Sequence, residues 1–313
     1  MTEQQAGKTQ SAASTSSESS NRRLRESGAD KLSSLPARRS TFQVAMANPR
    51  VWIPSIAVLL LVVLAIIGPS IVPHDPLRIN SGDMLQGPSS TYWAGTDDRG
   101  RDLLSRTIVG TRTSMIVAIV SVVFATIIGV TFGLIGGYFG GFWEFITMRT
   151  VDVLLTFPPI LLAIVVVAFL GPSMTNLIGV IAILYMTRFA RITFGSVAQV
   201  KRREYVEAAR VVGAGNTRII LRYILPNITA PIFVQISLTV GFAILLESGL
   251  SFLGLGTPPP APSWGNMISA ARSYMQDNPA FVLMPSLMIS IAILAFNTLG
   301  DGLRDSLDPR LRQ

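Results

Sequence analysis

EYVEAARVVGAGNTRIILRYILPN, residues 204–227, is polar and patterned, yet long apolar runs flank it on both sides. Arg203 to Val212 fits a helix, and the Gly213-Ala214-Gly215 triplet ends it. Asn216 is placed to cap a second helix over Thr217 to Leu225 through its side-chain oxygen, and Pro226 then leads into the next apolar run. The first helix carries Ala208 and Ala209 where a helix packed only against its own chain would carry bulky residues. Small side chains admit a close partner, and Glu207 with the neighbouring arginines can pair with charges across the contact. Taken alone, the same spacing also fits a solvated amphipathic loop helix.

The flanking runs decide the fold class. Of the 313 residues, 49% are hydrophobic and only 14% are charged, against about 25% charged in soluble domains; mean hydropathy is +0.48. A spanning helix needs roughly 20 apolar residues. Candidates are Val51 to Val72, Ser114 to Ile135, Val151 to Leu170, Leu177 to Val197, Ile228 to Leu250 and Phe281 to Leu299. This predicts an all-α, polytopic membrane helical bundle of six transmembrane helices, with both termini on one side. Asp152 near the start of the third run and Pro158-Pro159 within it predict a kink there.

Composition also excludes much chemistry. The chain has no cysteine, so disulfides, thiolate metal sites and cysteine nucleophiles are ruled out. His74 is the one histidine, which removes most zinc and histidine-triad chemistry. No catalytic residue and no metal ligand is expected. The net charge of +8 with pI near 10.4 suits nucleic acid in principle, but the basic residues crowd beside the apolar runs and point instead to membrane lipid.

Those basic residues orient the chain. Arg22, Arg23, Arg25, Lys31, Arg38, Arg39 and Arg50 precede the first span; Lys201, Arg202, Arg203, Arg210, Arg218 and Arg222 follow the fourth, with Arg188 and Arg191 just inside its end. The Gly171-Pro172-Ser173 turn has no basic residue, and the Ser263 to Pro279 loop has only Arg272. The positive-inside rule then places both termini and the 198–227 loop in the cytoplasm. The segment before the second span fits less well, with Arg78, Arg99, Arg101, Arg106 and Arg112, but it is the longest loop on its side, where the rule is weaker. Residues 1–45, rich in Ser, Ala and Gln, read as a disordered cytoplasmic tail, too long and polar for a signal peptide. Gly7-Lys8-Thr9 lacks the first glycine of a phosphate-binding loop, since Thr2 stands there.

Residues 46–110 hold the first span and an extracytoplasmic segment, 111–302 a helical core, and 303–313 a second cytoplasmic tail. Gly129, Gly133, Gly137 and Gly141 form a small-residue stripe that serves either internal packing or a subunit interface.

Three stretches then resemble one family. Glu207-Ala208-Ala209, Gly213 and Leu225-Pro226 have the spacing of the EAA signature of permease subunits of ABC importers, with Tyr223 standing at that family's isoleucine. Gly95-Thr96-Asp97-Asp98-Arg99-Gly100-Arg101-Asp102 with Ser105-Arg106 resembles the GTDxxGRDxxSR segment of the oligopeptide/dipeptide/nickel branch. Ser251-Phe252-Leu253-Gly254-Leu255-Gly256, Pro259 and Pro262-Ser263-Trp264-Gly265 resemble its SFLGLG…PSWG segment. The resemblance implies a type I importer (MetI-like) core in the plasma (inner) membrane and the C-type permease role beside a homologous B-type permease. It further implies an extracytoplasmic substrate-binding protein and cytoplasmic ATPase subunits that carry ATP and Mg, none of it bound by this chain. The loop would be the coupling helix, with Arg203, Tyr205, Val206, Glu207, Ala208, Ala209, Val212, Gly213 and Ala214 at the ATPase. Peptides lead as substrate, with nickel or another solute as the alternative within the branch.

The remaining motif residues have physical readings of their own. Asp97 or Asp98 can cap a short helix whose Leu103, Leu104 and Ile108 face the membrane surface; the segment is either an elbow into the second span or a contact for the binding protein. Trp264 suits the bilayer interface. Glu247, near the outer end of the fifth span, either lines the translocation path or makes a structural ion pair or a headgroup contact. Arg149 and Asp152, three apart, are placed to pair with each other. An ion-coupled secondary transporter would be expected to carry carboxylates at the midplane, whereas the candidate charges here lie near helix ends.

Overall fold

The computed structural model of the protein describes residues 49–307. The expected tail over 1–45, with Gly7-Lys8-Thr9 in it, and the last residues of the expected C-terminal tail lie outside the described residues. The described residues form helices and loops: α1 (Pro49–Ile71), α2 (Leu103–Phe139), α3 (Gly141–Thr156), α4 (Pro159–Leu170), α5 (Met174–Val200), α6 (Glu204–Val211), α7 (Asn216–Ile219), α8 (Leu225–Phe252), α9 (Trp264–Ala271) and α10 (Pro279–Leu307). Five helical segments among them are long and apolar enough to cross a membrane, and α3 with α4 makes a sixth if the bent pair is one span.

That pair bends by 91°, which is a break rather than the expected kink. Phe157 precedes a proline, whose ring disfavours the helical region for the residue before it, and it is extended at φ −92°, ψ 136°. Pro159 then starts α4 at a helical position that needs no N–H donor.

The second span is longer than its hydropathy suggested. Asp102, not Asp97 or Asp98, caps it by accepting from the Ser105 backbone N–H, so α2 runs unbroken for 37 residues, roughly 55 Å. Leu103 is fully buried and so does not face the membrane surface.

The glycine stripe explains the main seam, between α2 and α5. A Cβ at Gly129 would stand 2.6 Å from the Phe189 Cβ, one at Gly133 2.5 Å from the Thr193 Cβ, and one at Gly137 2.9 Å from the Val197 Cβ. Internal packing is therefore the role of these three. Gly141 meets nothing within 4 Å and belongs to the turn into α3.

Three apolar clusters follow along the bundle. The central one joins Met115, Val122 and Ala125 of α2 to Ile181 and Phe189 of α5, Ile244 of α8 and Ala292 of α10. A second, at the α6 end, collects Tyr138, Val197, Val206, Ile219, Ile224 and Ile228. A third, at the α9 end, collects Ala94, Leu103, Met267, Ala271 and Phe281.

Candidate functional site, the polar loop and its groove

The loop 204–227 is hung from the second cluster by Val206 of α6, with Ala209 buried beside it. Val206 is fully buried and Ala209 nearly so, one turn apart on the inner face, whereas Arg203, Glu204, Tyr205, Glu207 and Ala208 are exposed. Glu204 and Glu207 in the first turn and Arg210 in the last suit the helix dipole. Val206 thus anchors the helix, and the surface left for a partner is built by the others.

The end of α6 is a two-bond turn. Gly213 N–H donates to the Arg210 carbonyl at 3.0 Å, and Ala214 N–H reaches back to the Ala209 carbonyl at 3.0 Å. Together these satisfy the terminal carbonyls of the helix in the Schellman pattern. Gly213 sits at φ +83°, the left-handed region that glycine enters without penalty.

Asn216 does not cap the next helix. Gly215 holds that position, and the Asn216 side-chain oxygen instead accepts from the Tyr138 hydroxyl at 2.8 Å, tying the loop to the end of α2. The Lys201 ammonium reinforces the tie by bonding the Tyr138 carbonyl and lying over its ring. The second helix is also not separate from the span. α7 passes through a π-helical turn, Ile220–Ile224, straight into α8, with Leu225 N–H bonded to the Ile220 carbonyl. Pro226, in the first turn of α8, has no N–H to give the Arg222 carbonyl, and the wider turn accommodates this.

Between α6 and the π turn lies a groove of about 370 Å³, lined by Tyr205, Ala208, Ala209, Val212, Gly213, Ala214, Arg218 and Tyr223. The two alanines are the floor, as their size predicts. Beside it Val211 and Val212 stand 87% and 86% exposed, and apolar side chains so exposed at the rim of a polar groove mark a contact surface. Val211, Arg218 and Tyr223 were not assigned from sequence. Consecutive valines at the end of an otherwise polar helix were the available signal.

At the other end the two remaining motifs lock together. The Asp97 carboxylate is fully buried; it accepts from the Arg99 and Arg101 backbone N–H groups at 2.9 Å, binds Arg101 Nε at 2.7 Å and lies 3.3 Å from Arg106 Nε. Thr96 and Asp102 bridge as an antiparallel pair, and Gly100, at φ +71°, lies where a Cβ would press on the Asn80 backbone. Asn278 reaches from the loop before α10 to the Thr96 carbonyl at 3.0 Å. Gly95 to Asp102 is therefore an elbow held by bonds within the chain, centred on the buried Asp97 carboxylate. Trp264 is wholly buried rather than interfacial: its indole N–H donates to the Thr107 carbonyl at 3.3 Å. Gly265 brings α9 so close to α8 that a Cβ would lie 2.7 Å from the Ser251 Cβ.

Comparison with known proteins matches residues 129–313 to the profile of the binding-protein-dependent transport system inner membrane component. The chain belongs to that family. It is 45% identical over 256 residues to the glutathione transport system permease protein of Pectobacterium atrosepticum, covering 82% of this chain and 85% of the relative. It is 40% identical over 283 residues to the dipeptide transport system permease protein of Alkalihalophilus pseudofirmus, covering 90% and 93%. A chain of the inward-facing MetNI methionine ABC transporter shares the fold, with TM-score 0.54 at 16% identity, over 66% of this chain and 98% of that one. The protein is thus a multi-pass inner membrane permease subunit of an ABC importer, of a family that works with ATPase and binding-protein partners.

In this permease Glu247 faces no opening. It is fully buried, and its carboxyl accepts from Ser251 Oγ at 2.7 Å and Ser248 Oγ at 3.3 Å. Asp152 pairs not with Arg149 but with Arg191 of α5 at 2.6 Å, while Arg149 lies over the Phe145 ring. Among the described residues no group of three or more His, Asp or Glu side chains is placed to hold a metal ion.

Proposed function

We propose that this permease forms half of the translocation path of an importer of short peptides, beside a homologous B-type permease, and takes its power from ATP and Mg on separate cytoplasmic ATPase subunits docked in the α6 groove. The observation that carries the docking is the groove itself: an alanine floor, an exposed valine pair at its rim and a rigid glycine turn, on the loop richest in arginine. Peptides are favoured because the relatives at 40–45% identity are named for dipeptide and glutathione transport. The arginine distribution supports a cytoplasmic α6 end and cytoplasmic termini, with an extracytoplasmic binding protein meeting the α9 end. Gly95, Thr96, Asp97, Gly100, Arg101, Asp102, Trp264 and Gly265 act as framework for that end, and Pro226 for the loop.

The chain has no cysteine of its own, so a single Ala208→Cys has no background. In membranes holding the whole importer it is expected to crosslink to a cysteine introduced on the ATPase surface. Free labelling of that cysteine in the assembled complex, with no crosslink at any matched position, refutes the docking. Uptake of a labelled dipeptide by cells with and without the gene tests the substrate: loss of uptake restored by the intact gene supports peptides, and unchanged uptake moves nickel or another solute forward.

A further inference from the structure

The Arg188 guanidinium is an exposed charge partway through a spanning helix. It stands fourteen residues from Met174 and twelve from Val200 in α5, roughly 21 and 18 Å from the two ends. It makes no ion pair and no hydrogen bond among the described residues. Instead its guanidinium lies over two rings, 5.3 Å from the Tyr185 centroid and 4.8 Å from that of Phe242 on α8. Tyr185 and Phe242 are themselves joined, the Tyr185 hydroxyl donating to the Phe242 carbonyl at 3.0 Å.

The surroundings of this cation form a site. Arg188 and Arg191, three residues apart on one face of α5, line a cavity of about 350 Å³ with Thr187, Gln235, Leu155 and Phe242, within the roughly 300–1,000 Å³ of small-molecule sites. Arg191 is neutralised by Asp152 of α3. Arg188 has no such partner, so of the three charges one positive charge is left uncompensated. An unpaired guanidinium at this depth is costly against lipid but not against a water-filled cavity. The ring contacts leave its N–H groups without an acceptor among the described residues, and the planar fork of arginine matches a carboxylate.

We infer that Arg188 lines an aqueous translocation path and binds the carboxylate of the peptide in transit. Arg191 and Asp152 fix the neighbouring wall, and Gln235 offers a neutral polar group across the cavity. This inference rests on the peptide-import reading, and it assigns the substrate-facing role to α5 in place of Glu247.

The test uses the assembled importer, with its partner permease and ATPase subunits, in lipid nanodiscs and in cells. Gln235→Cys is labelled with a sulfonate-bearing methanethiosulfonate and with its trimethylammonium counterpart. Both reagents are expected to react, and adding Arg188→Gln is expected to lower the anionic-to-cationic rate ratio by about tenfold, since it removes the uncompensated charge beside the thiol. A cysteine inert to both reagents places the cavity against lipid or protein and overturns the inference, as does an unchanged ratio. In cells that take up a labelled dipeptide through the wild-type importer, Arg188→Gln is expected to cut uptake at least about tenfold at normal membrane abundance, with part restored by Arg188→Lys. Full uptake by Arg188→Gln overturns the carboxylate role. Loss of assembly in Arg188→Gln overturns it too, by assigning the guanidinium to a carboxylate of the other permease. Absence of peptide uptake by the wild type is a different result and refutes the peptide reading itself; the labelling ratio still decides whether the cavity is aqueous and positive.

Discussion

A substitution series at Gly213 separates backbone conformation from contact at the α6 groove. Gly213 sits at φ +83° with no atom within 4 Å of where a Cβ would stand. A side chain there meets no resistance from its own chain, so the energetic cost in the free permease is that of the left-handed conformation alone. For alanine this is about 1–2 kcal/mol, for a β-branched valine more, and for asparagine little, because its short polar side chain tolerates this region. The conformation is what lets Gly213 and Ala214 N–H groups reach the Arg210 and Ala209 carbonyls. Each 1.4 kcal/mol against it reduces the population of the formed turn about tenfold relative to its alternatives. We expect peptide taken up per ATP hydrolysed, measured in proteoliposomes holding the full importer, to fall in the order Asn, Ala, Val, with Asn close to wild type and Val lowest by at least about tenfold. Membrane abundance is expected to stay near wild type, since no side chain of the three apolar clusters lies within 4 Å of the Gly213 Cβ position. Equal coupling across the series refutes the role of the turn. Asn as damaging as Val refutes the conformational argument differently, by showing that any side chain at this point collides with the partner.

Other perturbations probe the framework. Asp97→Asn leaves the Arg101 and Arg106 guanidiniums, 2.7 and 3.3 Å away, without their buried counter-charge; a loss of about 3–5 kcal/mol predicts low abundance and early thermal aggregation on size-exclusion chromatography, and a wild-type profile speaks against the elbow as a structural element. Glu247→Gln keeps an acceptor for Ser251, so uptake is expected to persist, whereas Glu247→Leu strands the Ser248 and Ser251 hydroxyls and is expected to lower the thermal midpoint; the opposite ranking in dipeptide uptake would return Glu247 to the path. Gly133→Leu forces side-chain volume where even a Cβ would lie 2.5 Å from Thr193 and 2.6 Å from the Ala190 carbonyl. Overpacking of about 1–3 kcal/mol or more predicts a lower midpoint for Gly133→Leu and little change for Gly179→Leu, at an exposed helical glycine of α5 with no atom within 4 Å of its Cβ position, and equal effects at both sites would refute the seam.

What was legible in the sequence is what depends on one segment at a time. Apolar length gave the spans, the glycine triplet gave the end of α6, and Pro158-Pro159 gave a kink where the structure has a 91° break. What was not legible depends on which segments meet. Asp152 lies one turn from Arg149 in its own helix, yet α3 packs on α5 and the carboxylate takes Arg191 instead. Trp264 has the chemistry of the interface, but α2 offers its indole N–H the Thr107 carbonyl inside the bundle. Asn216 is a good capping residue by type and is taken by Tyr138, far away in sequence. Glu247 was read from depth alone, and depth does not tell an open path from a cage of serines. Arg188 was counted as a basic flank, because its isolation from any carboxylate appears only when α3, α5 and α8 are assembled.

The two ends of this permease are built for different tasks, and α8 joins them. At the α9 end, polar groups are spent inward: Asp97 on two arginines, Glu247 on Ser248 and Ser251, Asn266 on the Thr257 carbonyl at 2.6 Å. At the α6 end they point outward, and the groove is left open. Beyond the Gly213-Ala214-Gly215 turn, α7 and the π turn run into α8 as one continuous helix from Asn216 to Phe252. A helix transmits rotation along its length far better than a loop does. Phe242 and Gln235, at the Arg188 cavity, and Ser248 and Ser251, at the closed end, are carried by this same helix.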